Sequence, residues 1–282
     1  MFVPNDVAEY YNTTQNHYTR WWNLGKTLSL HYGIRDETVK NFSESLINTN
    51  RIMMEMAEIS PADKVLDAGC GVGGAVFYLN KMKNAEVTGI SLSDRQIKYA
   101  NEIVVKNNLA DKVSFKIMDF TRTDFNDECF DVVWACESVC QAVDKSAFIR
   151  ECYRILKKGG RLVLSDFFLT NDNQEDPHSW IRKWCDTWAV TALISCNAFT
   201  ARLKDQEFST VKTTDYTDNI KRSARRMYNA SIIGAVPSEI YNLFHPKVSR
   251  FARTHYKCGY YQYKALKENL WKYYIVLALK QV

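Results

Sequence analysis

Nothing in these 282 residues approaches the roughly 20 consecutive apolar side chains that a bilayer-spanning helix needs. The opening stretch, Met1 to Glu9, lacks the basic-then-apolar order of a secretory signal. These two absences predict a cytoplasmic protein with no membrane span. The eight cysteines include no CxxC pair. Cys136 and Cys140 could share a helical face, but no histidine lies near them and two thiols make no zinc site. No metal is therefore expected, and the cysteines read as buried, reduced thiols. There is also no stripe of Lys and Arg interleaved with aromatics, and the formal net charge of +5 is mild, so nucleic acid is not an expected partner. Internal repeats and low-complexity segments are missing as well.

What is present is an ordinary 46% of hydrophobic residues and enough length for one large domain, or a core with a lid. The 16 tyrosines and 7 tryptophans are unevenly spread. They cluster at Tyr10–Tyr32, Trp180–Trp188 and Tyr256–Tyr274. All three clusters lie outside the segment where strands and helices alternate.

That alternation begins at Lys64. A strand at 64–68 precedes a helix at 72–83; a strand at 85–90 precedes a helix at 93–108, with Ser93 as N-cap. Strands at 112–117 and 130–136 follow, then a helix at 144–157 that Asp144 could cap. Lys157-Lys158-Gly159-Gly160 reads as the stop of that helix, and a strand at 161–167 completes five. Right-handed crossovers make this a doubly wound parallel sheet, which binds ligands at the carboxyl ends of its strands. Upstream, 37–59 reads as one amphipathic helix ended by Ser60-Pro61. Downstream, 180–200 looks helical, 207–216 alternates like a strand, and 219–263 is helical with breaks at Gly234, Pro237 and Pro246. A last strand-like run covers 271–279. The expected division is a helical cap at 1–60, a ligand-binding core at 61–170, and the rest of the sheet with an aromatic lid at 171–282.

The first strand runs into Asp67-Ala68-Gly69-Cys70-Gly71-Val72-Gly73-Gly74. A strand entering a glycine-rich turn that opens a helix is a small-molecule cradle, because glycine admits close approach and helix-start amides face an anion. Gly69, Gly71 and Gly74 satisfy the dinucleotide pattern G-x-G-x-x-G. A dinucleotide site also wants an acid at the tip of the second strand, about 20 residues on. That tip here is Ser91-Leu92-Ser93. The acid instead precedes the first glycine, as Asp67.

The block from Asp67 to Gly74 resembles the first motif of the class I S-adenosylmethionine methyltransferases. Gly89-Ile90-Ser91-Leu92-Ser93-Asp94-Arg95-Gln96 resembles a signature of one branch of that family, which includes sterol, tocopherol, prenyl-diphosphate and some small-amine enzymes. The resemblance covers residues from about 10 to 168. It implies an α/β, mostly parallel seven-stranded Rossmann-like sheet, the two late strands closing it as a hairpin around helical lid insertions. It implies S-adenosylmethionine as cofactor, held by Asp67, Ala68, Gly69, Cys70 and Gly71, with Ser91, Leu92 and Gln96 toward the ribose. Met118, Asp119 and Phe120 would lie at the adenine, the carboxylate accepting from its amine. Cys136-Glu137-Ser138-Val139-Cys140-Gln141 resembles the branch's Glu-Ser/Ala-x-x-His segment, which puts Glu137 beneath the transferring methyl. Gln141 stands where histidine is common, so no titratable base is expected there. Leu30-His31-Tyr32-Gly33 resembles the lid motif, making His31 and Tyr32 candidates for a catalytic relay with Glu137. The segment from Tyr153 to Asp166 resembles the family's late motif, with Asp166 and Phe167 facing the substrate.

Under this resemblance the partner is a small-molecule acceptor; a homo-oligomer is left open. Electron-rich rings in the lid suit a carbocation, so the leading expectation is C-methylation of an isoprenoid-like alkene, prenyl diphosphate or sterol-like, with Glu137 as base. Lys221, Arg222, Arg225 and Arg226 are either a solvated helix face or a diphosphate holder, and Mg2+ is expected only for a diphosphate acceptor. Two alternatives stand beside it: N- or O-methylation of a small amine or phenolic metabolite, and a catalytically silent cofactor-binding protein that assists a cyclisation.

Overall fold

The computed structural model describes residues 2–22 and 24–282, apart from the side chains of Arg20 and Trp21. Seven strands form one sheet: β1 (Lys64–Ala68), β2 (Glu86–Ser91), β3 (Val113–Ile117), β4 (Phe130–Cys136), β5 (Leu156–Leu169), β6 (Phe208–Asp215) and β7 (Trp271–Lys280). Their order is β3-β2-β1-β4-β5-β7-β6, with β7 antiparallel to both neighbours. The late hairpin therefore closes the sheet as expected. From β1 the chain winds outward to β3, then crosses back to β4 on the other side of β1. The carboxyl ends of β1 and β4 thus border the crevice where such sheets bind ligands. Alternate side chains feed two cores: Val65, Val132, Trp134 and Val163 on one face, Leu66, Val133, Ala135 and Leu164 on the other.

Helices α1 (Pro4–Trp21), α2 (Leu24–Thr27) and α3 (Phe42–Met56) precede the sheet. The crossovers are α4 (Gly74–Lys83), α5 (Asp94–Lys106) and α6 (Lys145–Ile155). Ser93 and Asp144 cap as read from sequence: Ser93 accepts from the Gln96 amide and Asp144 from the Ser146 amide. Several boundaries differ, each for a local reason. Helix α3 starts five residues late, because Asp36 accepts from Thr38 in a turn and Asn41 is the true cap. Helix α4 starts at Gly74 because Gly73 sits at φ 91, outside helical space. Helix α6 ends at Ile155, before the glycines. Leu156 is already extended and pairs with Phe130, after which the register jumps to Val132↔Arg161. Lys157 to Gly160 are the bulge between those pairs, and Lys157 meets Asp131 at 2.8 Å.

The stretch 180–200 splits into α7 (Trp180–Thr187) and the start of α8 (Cys196–Asp205), where Ser195 caps and is itself held by Asp172. The remaining helices are α9 (Thr217–Phe244) and α10 (Arg250–Lys267). Gly234 and Pro237 do not break α9; the interruption comes only at 245–249 around Pro246. Helix α1 packs on α10 and α5 and roofs the carboxyl end of the sheet. Among the described residues, no helix is long and apolar enough to cross a membrane.

Candidate functional site

The glycine turn after β1 is shaped by close approach. Gly69, Gly71 and Gly73 all have positive φ, at 94°, 53° and 91°. A Cβ on Gly69 would stand 2.3 Å from the Cβ of Ser138, whose hydroxyl donates to the Ala68 carbonyl at 2.6 Å. Any side chain at 69 would therefore force β1 and the loop after β4 apart. The Gly69 and Cys70 amides both donate to the Ile90 carbonyl, at 3.0 and 2.9 Å. Those two donors close the turn and are not left for an anion, which corrects the expectation of a simple amide cradle.

Beyond the turn lies a narrow chamber of about 80 Å³. Asp67, Gly69, Cys70 and Gly71 form its floor, and Ser91, Leu92 and Gln96 one wall. Ser91 donates to the Gln96 side-chain carbonyl at 2.9 Å, which leaves the amide end of Gln96 near Gly71. Phe120 completes this side. Met118, Asp119 and Ala68 do not reach the chamber. Asp119 accepts from the amide and hydroxyl of Thr121 in a local turn, at 2.8 and 2.7 Å. Ala68 contributes through its carbonyl alone, and Met118 packs against the core of the opposite face.

Two polar groups in this chamber have no side-chain partner among the described residues. Burial pushes the Asp67 carboxyl up to about 8, and no cation offsets it. His31 uses Nδ1 against the Tyr32 carbonyl at 2.9 Å, which fixes the proton on Nδ1. Its Nε2 is buried with no partner among the described residues. Burial holds the ring down at about 4, so Nε2 is a bare acceptor at neutral pH. An acid and an acceptor facing one small space fit a ligand that brings positive charge and N–H donors. The residues present thus suit the methionine end of S-adenosylmethionine.

The chamber adjoins a larger cavity of about 870 Å³. Its walls carry Tyr32, Trp184 and Trp188, with α9 and α10 closing the far side. Tyr18, Leu30, Glu137 and Trp188 line both spaces, so they form the junction. Glu137 is 6% exposed and sits in the left-handed region at φ 52, a conformation that costs a non-glycine residue about 1–2 kcal/mol. Its Oε1 accepts from the Tyr32 amide at 2.6 Å and from the Tyr273 hydroxyl at 2.7 Å. Burial still drives this carboxyl well above the usual carboxylate range, and the two donors only moderate the shift.

The loop holding Glu137 is tied from below. Lys145, itself buried, donates to the carbonyls of Cys140, Ala142 and Ala192. Asp166 accepts from the Cys140 and Phe167 amides, both at 2.8 Å. Asp166 and Phe167 are buried behind the site and do not line the cavity, contrary to expectation. Gln141 accepts from the Tyr11 hydroxyl and donates to the Trp188 carbonyl, so it is a brace rather than a base. The Tyr32 phenol points to the Met227 sulfur at 3.6 Å and not to Glu137. Tyr273 supplies the hydroxyl on Glu137, and sequence reading missed it. The basic cluster lies outside the cavity lining: Lys221 pairs with Asp218, and Arg226 lies 4.5 Å over the Phe42 ring. Among the described residues, no three His, Cys, Asp or Glu side chains group as a metal site.

Residues 66–164 match the family model described as a methyltransferase domain. Norajmaline N-methyltransferase of Rauvolfia serpentina is 30% identical over 228 residues, spanning 76% of this chain and 77% of the relative. Tocopherol O-methyltransferase, chloroplastic, of Arabidopsis thaliana is 29% identical over 232 residues, spanning 76% of this chain but 66% of the relative, just under two thirds of its length. Among solved structures, the 4+2 cyclase SpnF superposes with a TM-score of 0.80 at 19% identity, covering 99% of this chain and 97% of that one. A geranyl diphosphate methyltransferase bound to GPP and sinefungin gives 0.77 at 18% identity, covering 98% of each. At these identities the structures speak for the fold alone, whereas the sequence relatives carry the family. The chain belongs to the class I S-adenosylmethionine-dependent methyltransferases.

Proposed function

We propose that the chain methylates a carbon–carbon double bond in an uncharged, apolar, isoprenoid-like acceptor. The observation that carries this reading is Glu137: a buried carboxyl, held by two donors, where the cofactor chamber opens into an aromatic cavity. S-adenosylmethionine supplies an electrophilic methyl on a sulfonium when bound. Asp67 and the bare Nε2 of His31 hold its charged methionine end, Gln96 and Ser91 the ribose, and Phe120 the adenine face. An alkene that accepts the methyl becomes a cation. The rings of Tyr32, Trp184 and Trp188 stabilise that cation by about 0.5–2 kcal/mol each when water is excluded. Glu137 then takes a proton from the carbon beside the cation, and the C–H electron pair becomes the product double bond. Burial raises its proton affinity, which favours taking up that proton. Lys221, Arg222, Arg225 and Arg226 do not line the cavity; Arg95 does, but its guanidinium already donates to the Asn12 carbonyl and the Asn16 side chain, at 2.8 and 2.7 Å, which favours an uncharged acceptor over a diphosphate with Mg2+.

One finding favours a second reading. The relative with 77% of its length matched is, by name, an N-methyltransferase, and an aromatic box suits an amine gaining a methyl equally well. The test is incubation with methyl-labelled S-adenosylmethionine and a panel: a sterol, a prenyl alcohol, geranyl diphosphate, sarcosine, phosphoethanolamine and a catechol. Label in the sterol or prenyl alcohol is expected. Label confined to sarcosine, phosphoethanolamine or the catechol establishes the second reading instead. Tight binding of S-adenosylhomocysteine with label in none overturns both. With the acceptor in hand, Glu137→Gln is expected to lower kcat by roughly 10²–10⁴. Cofactor affinity should stay within about threefold; unchanged kcat removes Glu137 from the reaction.

A further inference from the structure

A row of four hydrogen-bonded side chains joins α1 to α10 at the cavity wall. The Tyr18 and Tyr10 hydroxyls are 2.7 Å apart, the Tyr10 hydroxyl is 2.9 Å from His255 Nε2, and His255 Nδ1 is 3.0 Å from His17 Nδ1. Tyr10 is fully buried and Tyr18 nearly so. Tyr18 is the inner end, at the junction with Glu137, while His17 is the part-exposed outer end. Each hydroxyl carries one proton, so the row must run head to tail. One of the two directions has Tyr18 donating to Tyr10 and ends on a bare histidine nitrogen. In that direction Tyr10 donates to His255 Nε2, and His255 Nδ1–H to His17 Nδ1.

We propose that this row is a second proton acceptor for the methylated intermediate, with the His255–His17 pair as the place where the proton rests. The inference rests on the methyl-transfer reading above and extends it to the α1–α10 side of the cavity. The step balances without another reactant. A C–H bond of the cation breaks and its electron pair becomes the product double bond. The proton joins the Tyr18 oxygen as Tyr18 passes its own to Tyr10, and Tyr10 passes its own to His255 Nε2. The imidazolium so formed is shared with His17 through the Nδ1···Nδ1 contact. When product leaves and water enters the cavity, the proton returns by the same route and the starting direction is restored. Burial and the neighbouring His17 keep the His255 ring at about 3, so Nε2 is unprotonated beforehand; a carbocation is acidic enough to protonate it. With Glu137 and Tyr18 at one junction, the acceptor's orientation decides which proton leaves and so where the new double bond lies.

Tyr18 is the catalytic residue in this scheme; Tyr10, His255 and His17 are positioning residues that act through it. Nitrogen-15 histidine spectra of the S-adenosylhomocysteine complex test the direction without any acceptor. His255 is expected to be neutral with its proton on Nδ1 and Nε2 bare; a proton on Nε2 overturns the proposal. His255→Gln keeps a donor and an acceptor but cannot take up the proton. With the acceptor labelled in the panel, it is expected to lower kcat at least tenfold or shift the double-bond isomer ratio, as should Tyr18→Phe. KM and S-adenosylhomocysteine affinity should stay within about threefold. Unchanged kcat and products in both variants overturn the row while leaving methyl transfer intact. A wild-type protein that labels nothing overturns methyl transfer itself, and the proposal falls with it.

Discussion

Asp67 carries the clearest consequence for a single side chain. Its carboxyl is held up at about 8 by burial alone, so at neutral pH without ligand it is largely protonated. A ligand with a positive end binds best to the ionised form and lowers that value. Binding then releases a proton, and affinity rises with pH until about 8. S-adenosylhomocysteine affinity, measured by calorimetry, should climb close to tenfold per pH unit between pH 6 and 7. Asp67→Asn should flatten the slope; a flat profile in the wild type would remove Asp67 from the ligand. Tyr273 works the other way on Glu137. Its hydroxyl stabilises the ionised carboxylate, so Tyr273→Phe should raise the Glu137 value further. A base must be ionised to act, so the acid limb of the pH–rate profile should move to higher pH. Asp67 and Glu137 were legible because each ends a strand inside a short pattern. Tyr273 was not, since 136 residues separate it from the carboxylate it touches. Asp119 lies outside the chamber: its Oδ1 accepts twice from Thr121 in a local turn, a contact two residues away that the motif does not encode.

Helix α9 shows how an element departs from what its residues favour. Gly234 and Pro237 each read as a break, yet the helix runs through both. Proline at 237 removes the amide that would bond the Ile233 carbonyl, at a cost of about 3 kcal/mol in an ordinary helix interior. Packing on α10 holds the helix together across this fault, and Ile233, Gly234, Pro237 and Tyr241 all line the acceptor cavity. The fault therefore lies in the cavity wall, where a helix that can bend lets a bulky acceptor pass. Pro237→Ala should restore the bond and stabilise the fold by about 1–3 kcal/mol, raising Tm by about 2 °C or more. The same change should slow acceptor entry and lower kcat/KM. A lower Tm would show that the ring packs usefully where it stands. The core strands needed no such tertiary support to be recognised, because period-two and period-3.6 patterns alternate cleanly from Lys64 to Leu169. The end of α6 escaped that pattern because Lys157 and its neighbours pair with β4 as a bulge, which glycines after a helix do not reveal.

The order of the five parallel strands, their crevice and the identity of the cofactor all follow from about a hundred contiguous residues, so the sequence displays them. The acceptor cavity does not follow in this way. It is assembled from α1, the segment after α2, α7, α9 and α10, and their aromatic clusters show only that something apolar is enclosed. How these parts close is visible at the strap 28–31, which lies directly on the glycine turn. A Cβ on Gly74 would stand 2.3 Å from the Leu28 carbonyl oxygen, and one on Gly71 would stand 3.1 Å from the Leu30 side chain. The chamber beneath, about 80 Å³, is walled on this side by Leu28, Ser29, Leu30 and His31 of the strap. Ligand entry thus requires the strap to lift, and the bare Nε2 of His31 gives it a reason to close again once the ligand is seated. Amides of residues 24–33 should accordingly exchange with solvent at least tenfold more slowly in the S-adenosylhomocysteine complex than in the free protein, while those of β1 and β4 change little. Trypsin cleavage after Lys26 should slow in parallel. Equal exchange in the two states would mean that the strap does not respond to the ligand, and would overturn this account of closure.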